Sequence, residues 1–137
     1  MLDEVVVYFD GGARGNPGPA AIGAVVLDAS SEPPTRLAAV SERIGETTNN
    51  VAEYRALIAG LEAASTTPSH AVKVRGDSKL VIEQVAGRWK VKEPHLRPLW
   101  DRVRDLLSGY DTVDLAHVRR ELNRDADALV NAALDQS

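Results

Sequence analysis

The stretch Val5-Val6-Val7-Tyr8-Phe9-Asp10-Gly11-Gly12 decides how the rest of the chain is read. Five consecutive β-formers with no polar interruption describe a short strand buried on both faces, as in the interior of a sheet covered by helices. Asp10 is expected to end that strand, with Gly11 to Pro19 as a loop. Working outward, Ile22 to Leu27 and Arg36 to Ile44 read as the next two strands, so the chain opens as a three-stranded meander. Ser30-Ser31-Glu32-Pro33-Pro34 reads as its second hairpin loop, too short to link domains.

Beyond the meander the hydrophobic period changes from two to 3.6. Thr47-Thr48-Asn49-Asn50 supplies helix N-cap chemistry, and Tyr54, Leu57, Ile58 and Leu61 form one apolar stripe up to the stop at Pro68. Val72 to Gly76 is a fourth strand. Ser78 is placed to cap a second helix carrying Leu80, Val81, Gln84 and Val85, ending near Gly87. Leu96, Leu99, Trp100, Val103, Leu106 and Leu107 mark a third helix, and Thr112 to Val118 a fifth strand. Asn123 is placed to cap a last helix with Ala126, Leu129, Val130, Ala133 and Leu134 inward. The order βββ-α-β-α-α-β-α predicts an α/β fold, a five-stranded mixed sheet flanked by helices, within one domain over residues 1–137.

Composition narrows the chemistry. With 137 residues and no cysteine, a disulfide framework, a thiolate zinc site and a cysteine nucleophile are excluded. No apolar run approaches the ~20 residues of a membrane span. The N-terminus, acidic and running straight into a strand, does not read as a signal peptide. No membrane partner and a cytoplasmic setting are therefore the expectation. The net charge of −4, from 16 basic and 20 acidic residues, argues at first against a nucleic-acid partner. Its distribution is uneven. Residues 71–104 carry 9 basic and 4 acidic groups, a cationic island in an acidic protein.

Gly12, Gly15 and Gly18 lack the spacing and the following helix of a dinucleotide fingerprint, and no G-K-[ST] is present. A glycine-rich hairpin turn is the plain reading; glycines that admit a ligand's backbone beside Asp10 are the sharper one. Four carboxylates sit in positions that each have an ordinary explanation. Asp10 and Asp77 end strands. Glu53 and Asp127 lie in the first turns of helices, where the dipole favours them. One end of such a sheet would gather all four, and clustered carboxylates repel unless cations lie among them. Hard oxygen donors without cysteine favour Mg²⁺ or Mn²⁺ over zinc. His70, His95 and His117 show no ligand spacing.

Four ordered segments then match a known family. Asp10 to Pro19 (DGGARGNPGP) resembles the first motif of type 1 ribonuclease H, and Thr47 to Glu53 (TTNNVAE) its second. Gly76 to Lys79 (GDSK) resembles the third, and Asn123 to Leu129 (NRDADAL) the fourth. They span nearly the whole chain. The shortness of the chain and Gly87-Arg88-Trp89-Lys90-Val91-Lys92 look most like actinobacterial members, some of which are fused to a C-terminal phosphatase domain; no second domain is expected within this sequence.

The resemblance implies a ribonuclease H-like fold and hydrolysis of the RNA strand of RNA–DNA hybrids, with 5′-phosphate and 3′-hydroxyl products. Asp10, Glu53, Asp77 and Asp127 would hold two Mg²⁺ ions, Mn²⁺ substituting, in two-metal chemistry. Gly12 and Ala13 main chain with Asn50 would meet 2′-hydroxyls and the minor groove. Asn16, Asn49, Lys79, Trp89 and Asn123 complete the substrate-binding candidates. Two departures matter. The long basic protrusion of many bacterial members is missing, leaving Arg88, Lys90 and Lys92 around Trp89, which either faces the DNA strand or packs in the core. Trp100, on a helical stripe, is expected in the core. The loop before the last helix lacks the usual histidine, and Arg120 takes its place as a catalytic candidate, acting electrostatically because arginine hardly deprotonates. A monomeric, hybrid-specific endoribonuclease is the leading reading; a non-catalytic hybrid- or RNA-binding module and another nuclease of the same fold are the alternatives.

Overall fold

The computed structural model describes residues 1–136. Five strands form one sheet: β1 (Leu2–Ala13), β2 (Gly18–Asp28), β3 (Thr35–Thr47), β4 (Ser69–Gly76) and β5 (Thr112–His117), in the order β3-β2-β1-β4-β5. The first three are an antiparallel meander; β4 and β5 run parallel to β1. The helices are α1 (Asn49–Ala64), α2 (Lys79–Val85), α3 (Arg97–Leu107) and α4 (Arg124–Leu134). This is the expected mixed sheet and element order.

Local sequence explains the boundaries. The Thr48 hydroxyl accepts from Val51 N at 3.3 Å at the start of α1, and Ser78 does the same for Val81 N at 3.3 Å at the start of α2. Helix α2 stops before Gly87, whose φ of +83° lies in the left-handed region. The third helical stripe breaks in two: Pro94–Leu96 is a 3-10 turn and α3 begins at Arg97.

The extent of β1 corrects the sequence reading. The strand runs through Asp10 to Ala13, because Gly11, Gly12 and Ala13 pair with Ile22, Ala21 and Ala20 of β2. What ends at Phe9 is the pairing with β4, at Gly76. Asp10 therefore marks a fork where β1 parts from β4, not the end of a strand.

Nor is β1 buried equally on both faces. Val5, Val7 and Phe9 are buried against α1, with Leu57, Leu61, Val72, Val74 and residues of α2 and α3 completing the main core. Val6 and Tyr8, on the opposite face, are half-buried. That face is covered by α4 over a smaller cluster of Ala21, Val130 and Ala133. Among the described residues no helix is long and apolar enough to cross a membrane.

Two glycines set how closely the helices approach the fork. A Cβ on Gly11 would lie 2.3 Å from the Ala52 carbonyl carbon of α1. One on Gly23, paired with Asp10 across the ladder, would lie 2.4 Å from the Ala126 carbonyl oxygen of α4. Both distances are far inside van der Waals contact, so only glycine admits the two helix backbones here. The close backbone next to Asp10 is that of a helix, one residue before Glu53.

Candidate active site

Asp10, Glu53, Asp77 and Asp127 line one groove of about 370 Å³ at the fork. Each arrives from a different element. Asp10 projects from β1 where its β4 partner has ended; Asp77 follows β4 directly, before the cap of α2. Glu53 comes from α1, one residue after Ala52 at Gly11. It lies just beyond the first turn of α1, one step later than the sequence suggested. Asp127 lies in the first turn of α4, one residue after Ala126 at Gly23.

The electrostatics follow from this crowding. Asp10 is only 9% exposed. Burial, then the charges of Asp77 and Asp127, push its carboxyl up to about 8. Burial likewise raises Glu53 to about 7, the Ser78 hydroxyl working against the shift and the Asp77 charge adding to it. At neutral pH the bare groove thus favours a proton on Asp10 and leaves Glu53 near its midpoint. A divalent cation would replace bound protons, and the donor set, four hard oxygen ligands, suits Mg²⁺ or Mn²⁺. As the side chains stand, no three acidic or histidine residues among the described ones converge on a single point at metal-ligand spacing. The fit therefore rests on donor chemistry and charge.

Other predicted residues fall into three groups. Arg120, Gly12, Ala13 and Asn49 line the groove with the carboxylates. The Arg120 guanidinium donates to Asp127 Oδ1 at 3.4 Å from an otherwise exposed side chain. Asn49 Oδ1 accepts from Ala13 N at 2.8 Å, and Asn16 Oδ1 accepts from Asn49 N at 3.1 Å. These two asparagines tie the β1–β2 turn to the start of α1, and they occupy the Ala13 N–H. Asn50 lies half-buried beside them.

Lys79 and Trp89 lie apart from the carboxylates, along α2 and the segment after it. The Lys79 ammonium sits 5.9 Å from the centre of the Trp89 ring, and Trp89 is 43% exposed. Core packing is excluded for Trp89. Trp100 is half-buried at the edge of the core; its indole N–H donates to Gln84 O at 2.9 Å, and Arg97 covers its ring at 4.5 Å.

Asn123 corrects two expectations. It stands at the N-cap position of α4 but its side chain makes no cap bond. It is 1% exposed, and Nδ2 donates to Phe9 O at 2.8 Å, the residue before Asp10. A side chain so buried pins α4 to β1 and has no surface to offer a substrate. His117 ends β5, with Nε2 3.2 Å from Asp77 O.

The sequence reading missed Asn131 and Arg14, which also line the groove. Asn131 Nδ2 donates to Asp127 Oδ2 at 3.4 Å, so Asp127 is held between Asn131 and Arg120. The i, i+4 spacing of Asp127 and Asn131 was the available signal. Arg14 donates to Asp135 and, at 3.5 Å, to Leu134 O, tying the turn after β1 to the end of α4.

Comparison with known proteins gives the same picture. A family model described as reverse transcriptase-like matches residues 8–133. Ribonuclease HI of Halobacterium salinarum is 47% identical over 98% of this chain and 66% of its own length. The N-terminal RNase H domain of rv2228c from Mycobacterium tuberculosis superimposes with a TM-score of 0.92 at 48% identity, covering 96% of this chain and 99% of that one. LC11-RNase H1, solved in complex with an RNA/DNA hybrid, gives a TM-score of 0.86 at 43% identity, with 96% of each chain covered. The chain spans less than two thirds of the first relatives it matches: 66% of the Halobacterium protein and 36% of bifunctional protein Rv2228c. Fold, motifs and matches agree, and the chain belongs to the type 1 ribonuclease H family.

Proposed function

We propose that this chain is a metal-dependent endoribonuclease that hydrolyses the RNA strand of RNA–DNA hybrids, leaving 5′-phosphate and 3′-hydroxyl ends. The observation that carries the reading is the meeting of four carboxylates from four elements in one groove, with Asp10 raised to about 8. The hybrid bound to LC11-RNase H1, a relative of the same fold, supports the substrate class. A non-catalytic binding module has no use for four carboxylates kept together at such electrostatic cost.

Asp10, Glu53, Asp77 and Asp127 would hold two Mg²⁺ ions, or Mn²⁺ in their place. When bound, these supply Lewis acidity toward the phosphoryl oxygens and a water acidic enough to act near neutral pH. The protein's own groups do the rest. Asp10, deepest in the groove, gives up the proton that its burial favours. Arg120, at the rim beside Asp127, attracts the scissile phosphate and offsets charge building on it. Among the described residues no strand pairs with the β4-side edge of β1 beyond Phe9, which leaves that edge beside Asp10 open to 2′-hydroxyls. With the Ala13 N–H occupied by Asn49 and Gly12 paired with Ala21 of β2, that role falls first to Asn50. Trp89, with Lys79, Lys90 and Lys92, faces the DNA strand.

We further infer that residues 1–137 act as one catalytic domain, monomeric by itself and compatible with fusion to a partner domain in a longer chain. The product ends test the reaction. RNA 5′-labelled within a hybrid should give fragments that a polymerase extends directly from their 3′ ends. Fragments that need phosphatase treatment before extension would contradict the proposed bond cleavage.

A further inference from the structure

Gln84 is the most unusual residue of the core. It lies 4% exposed on the inward stripe of α2 among Val81, Ile82 and Val85, where an apolar side chain would serve the fold. Burying an amide there is costly unless both of its ends are bonded. Both are. The Tyr54 hydroxyl, fully buried and raised by burial above its ordinary pKa, donates to Gln84 Oε1 at 2.6 Å. Gln84 Nε2 donates to Lys90 O at 3.2 Å. Its main-chain oxygen receives the Trp100 indole at 2.9 Å.

Lys90 belongs to the irregular stretch between α2 and the 3-10 turn at Pro94. Arg88 N and Trp89 N are held by Glu83 O at 3.0 and 3.1 Å. From residue 90 to 92, the amide of Gln84 makes the one hydrogen bond to main chain found among the described residues. That short stretch carries the exposed Trp89 next door, and with Leu80 and Glu93 it walls a groove of about 410 Å³. A helix of seven residues and a free loop would hold an indole and two lysines poorly; a buried two-ended amide holds them to the core.

We propose that Gln84 is a positioning residue that locks the Trp89–Lys92 segment in the conformation that receives the DNA strand of the hybrid. This rests on the hybrid-binding role proposed above for that segment. Gln84 itself borders the groove beside that segment but is only 4% exposed, so it is placed to act through the segment it holds. Its effect passes through the Lys90 carbonyl, and it should govern how tightly the hybrid is held rather than how fast the bond is cut.

The test is Gln84→Met, close in length, which removes the donor to Lys90, made together with Tyr54→Phe so that no buried hydroxyl loses its acceptor. Amide hydrogen exchange over residues 88–92 should accelerate by about tenfold, and KM for hybrid should rise by a similar factor with kcat within about twofold. In a Trp89→Ala background the same change should raise KM no further. Gln84→Leu, again with Tyr54→Phe so that both partners of the buried bond are replaced, should reproduce the binding defect in a folded protein, and Tyr54→Phe alone, which keeps the donor to Lys90, should not. Unchanged exchange, a loss confined to kcat, or full additivity with Trp89→Ala would overturn the proposal. If the unaltered protein binds no hybrid, the functional reading fails on its own, and the exchange measurement still decides whether Gln84 holds the segment.

Discussion

At the scale of the residue, Asp10 concentrates the protein's conflict between stability and activity. Its carboxyl is raised by burial and by Asp77 and Asp127, so the folded state binds a proton that the unfolded chain releases. Between the ordinary carboxylate pKa and about 8, stability of the metal-free protein therefore falls as pH rises. Asp10→Asn removes that penalty. In the presence of a chelator its thermal midpoint should exceed the wild type's by a few degrees at pH 8, with the gap closing near pH 4. A gap of constant size would contradict the assignment. Arg120→Ala should lower kcat by about one order of magnitude while hybrid still binds, less than the roughly hundredfold loss of a fixed, buried donor because the Arg120 side chain is exposed.

The residue scale also shows what could be read in advance. Asp10, Glu53, Asp77 and Asp127 were legible because the sequence puts each close to a strand end or a helix start, although Asp10 ends only the pairing with β4 and Glu53 lies just past the first turn of α1. Asn123 was misread. From the sequence it is a cap and a substrate contact; in the fold its Nδ2 donates to Phe9 O, and its buried Oδ1 has no partner among the described residues. A side chain's partner 114 positions away leaves no trace in local pattern. Asn16 and Asn49 were legible as polar and near the site, but their bonds to each other's element were not.

At the scale of the element, β1 was read too short because Gly11 and Gly12 look like a turn. Glycine in a strand signals a close backbone approach as readily as a loop. Gly11 is of that kind, pressed on Ala52 of α1, while a Cβ at Gly12 meets nothing nearer than Val130 Cγ1 at 3.8 Å. The two neighbours therefore make opposite predictions. Gly11→Ala should cost about 3 kcal/mol or more in urea unfolding, because backbone must move. Gly12→Ala should leave stability within about 1 kcal/mol and act, if at all, on KM for hybrid. Equal destabilisation by both would show that the approach of α1 is not what requires Gly11.

At the scale of the whole molecule, the charge of −4 first pointed away from nucleic acid. The four groove carboxylates account for it: without them, 16 basic groups face 16 acidic ones. The acidic excess is the size of the proposed catalytic site, and two divalent cations would cancel it. Positive charge is gathered where Lys79, Lys90 and Lys92 surround Trp89. With so few cations available, hybrid binding should be modest and salt-sensitive, with log K falling against log salt at a slope of about −3 to −4. Salt-independent binding would contradict that charge distribution. The same scale explains why the fold class was legible: the switch in period from two to 3.6 at Thr47, and again at each later strand, gives a mixed sheet flanked by helices, while the strand order β3-β2-β1-β4-β5 rests on long-range pairing that local pattern does not carry.

The most direct test is cleavage itself. Labelled RNA–DNA hybrid, duplex RNA and duplex DNA are incubated with the protein, with and without Mg²⁺ or Mn²⁺, beside Asp10→Asn and Asp77→Asn variants whose circular dichroism matches the wild type. The groove described above predicts cleavage of the hybrid's RNA strand alone, only with a divalent cation, and none by either variant. Undiminished cleavage by the variants, or an intact hybrid under saturating cation, would contradict it.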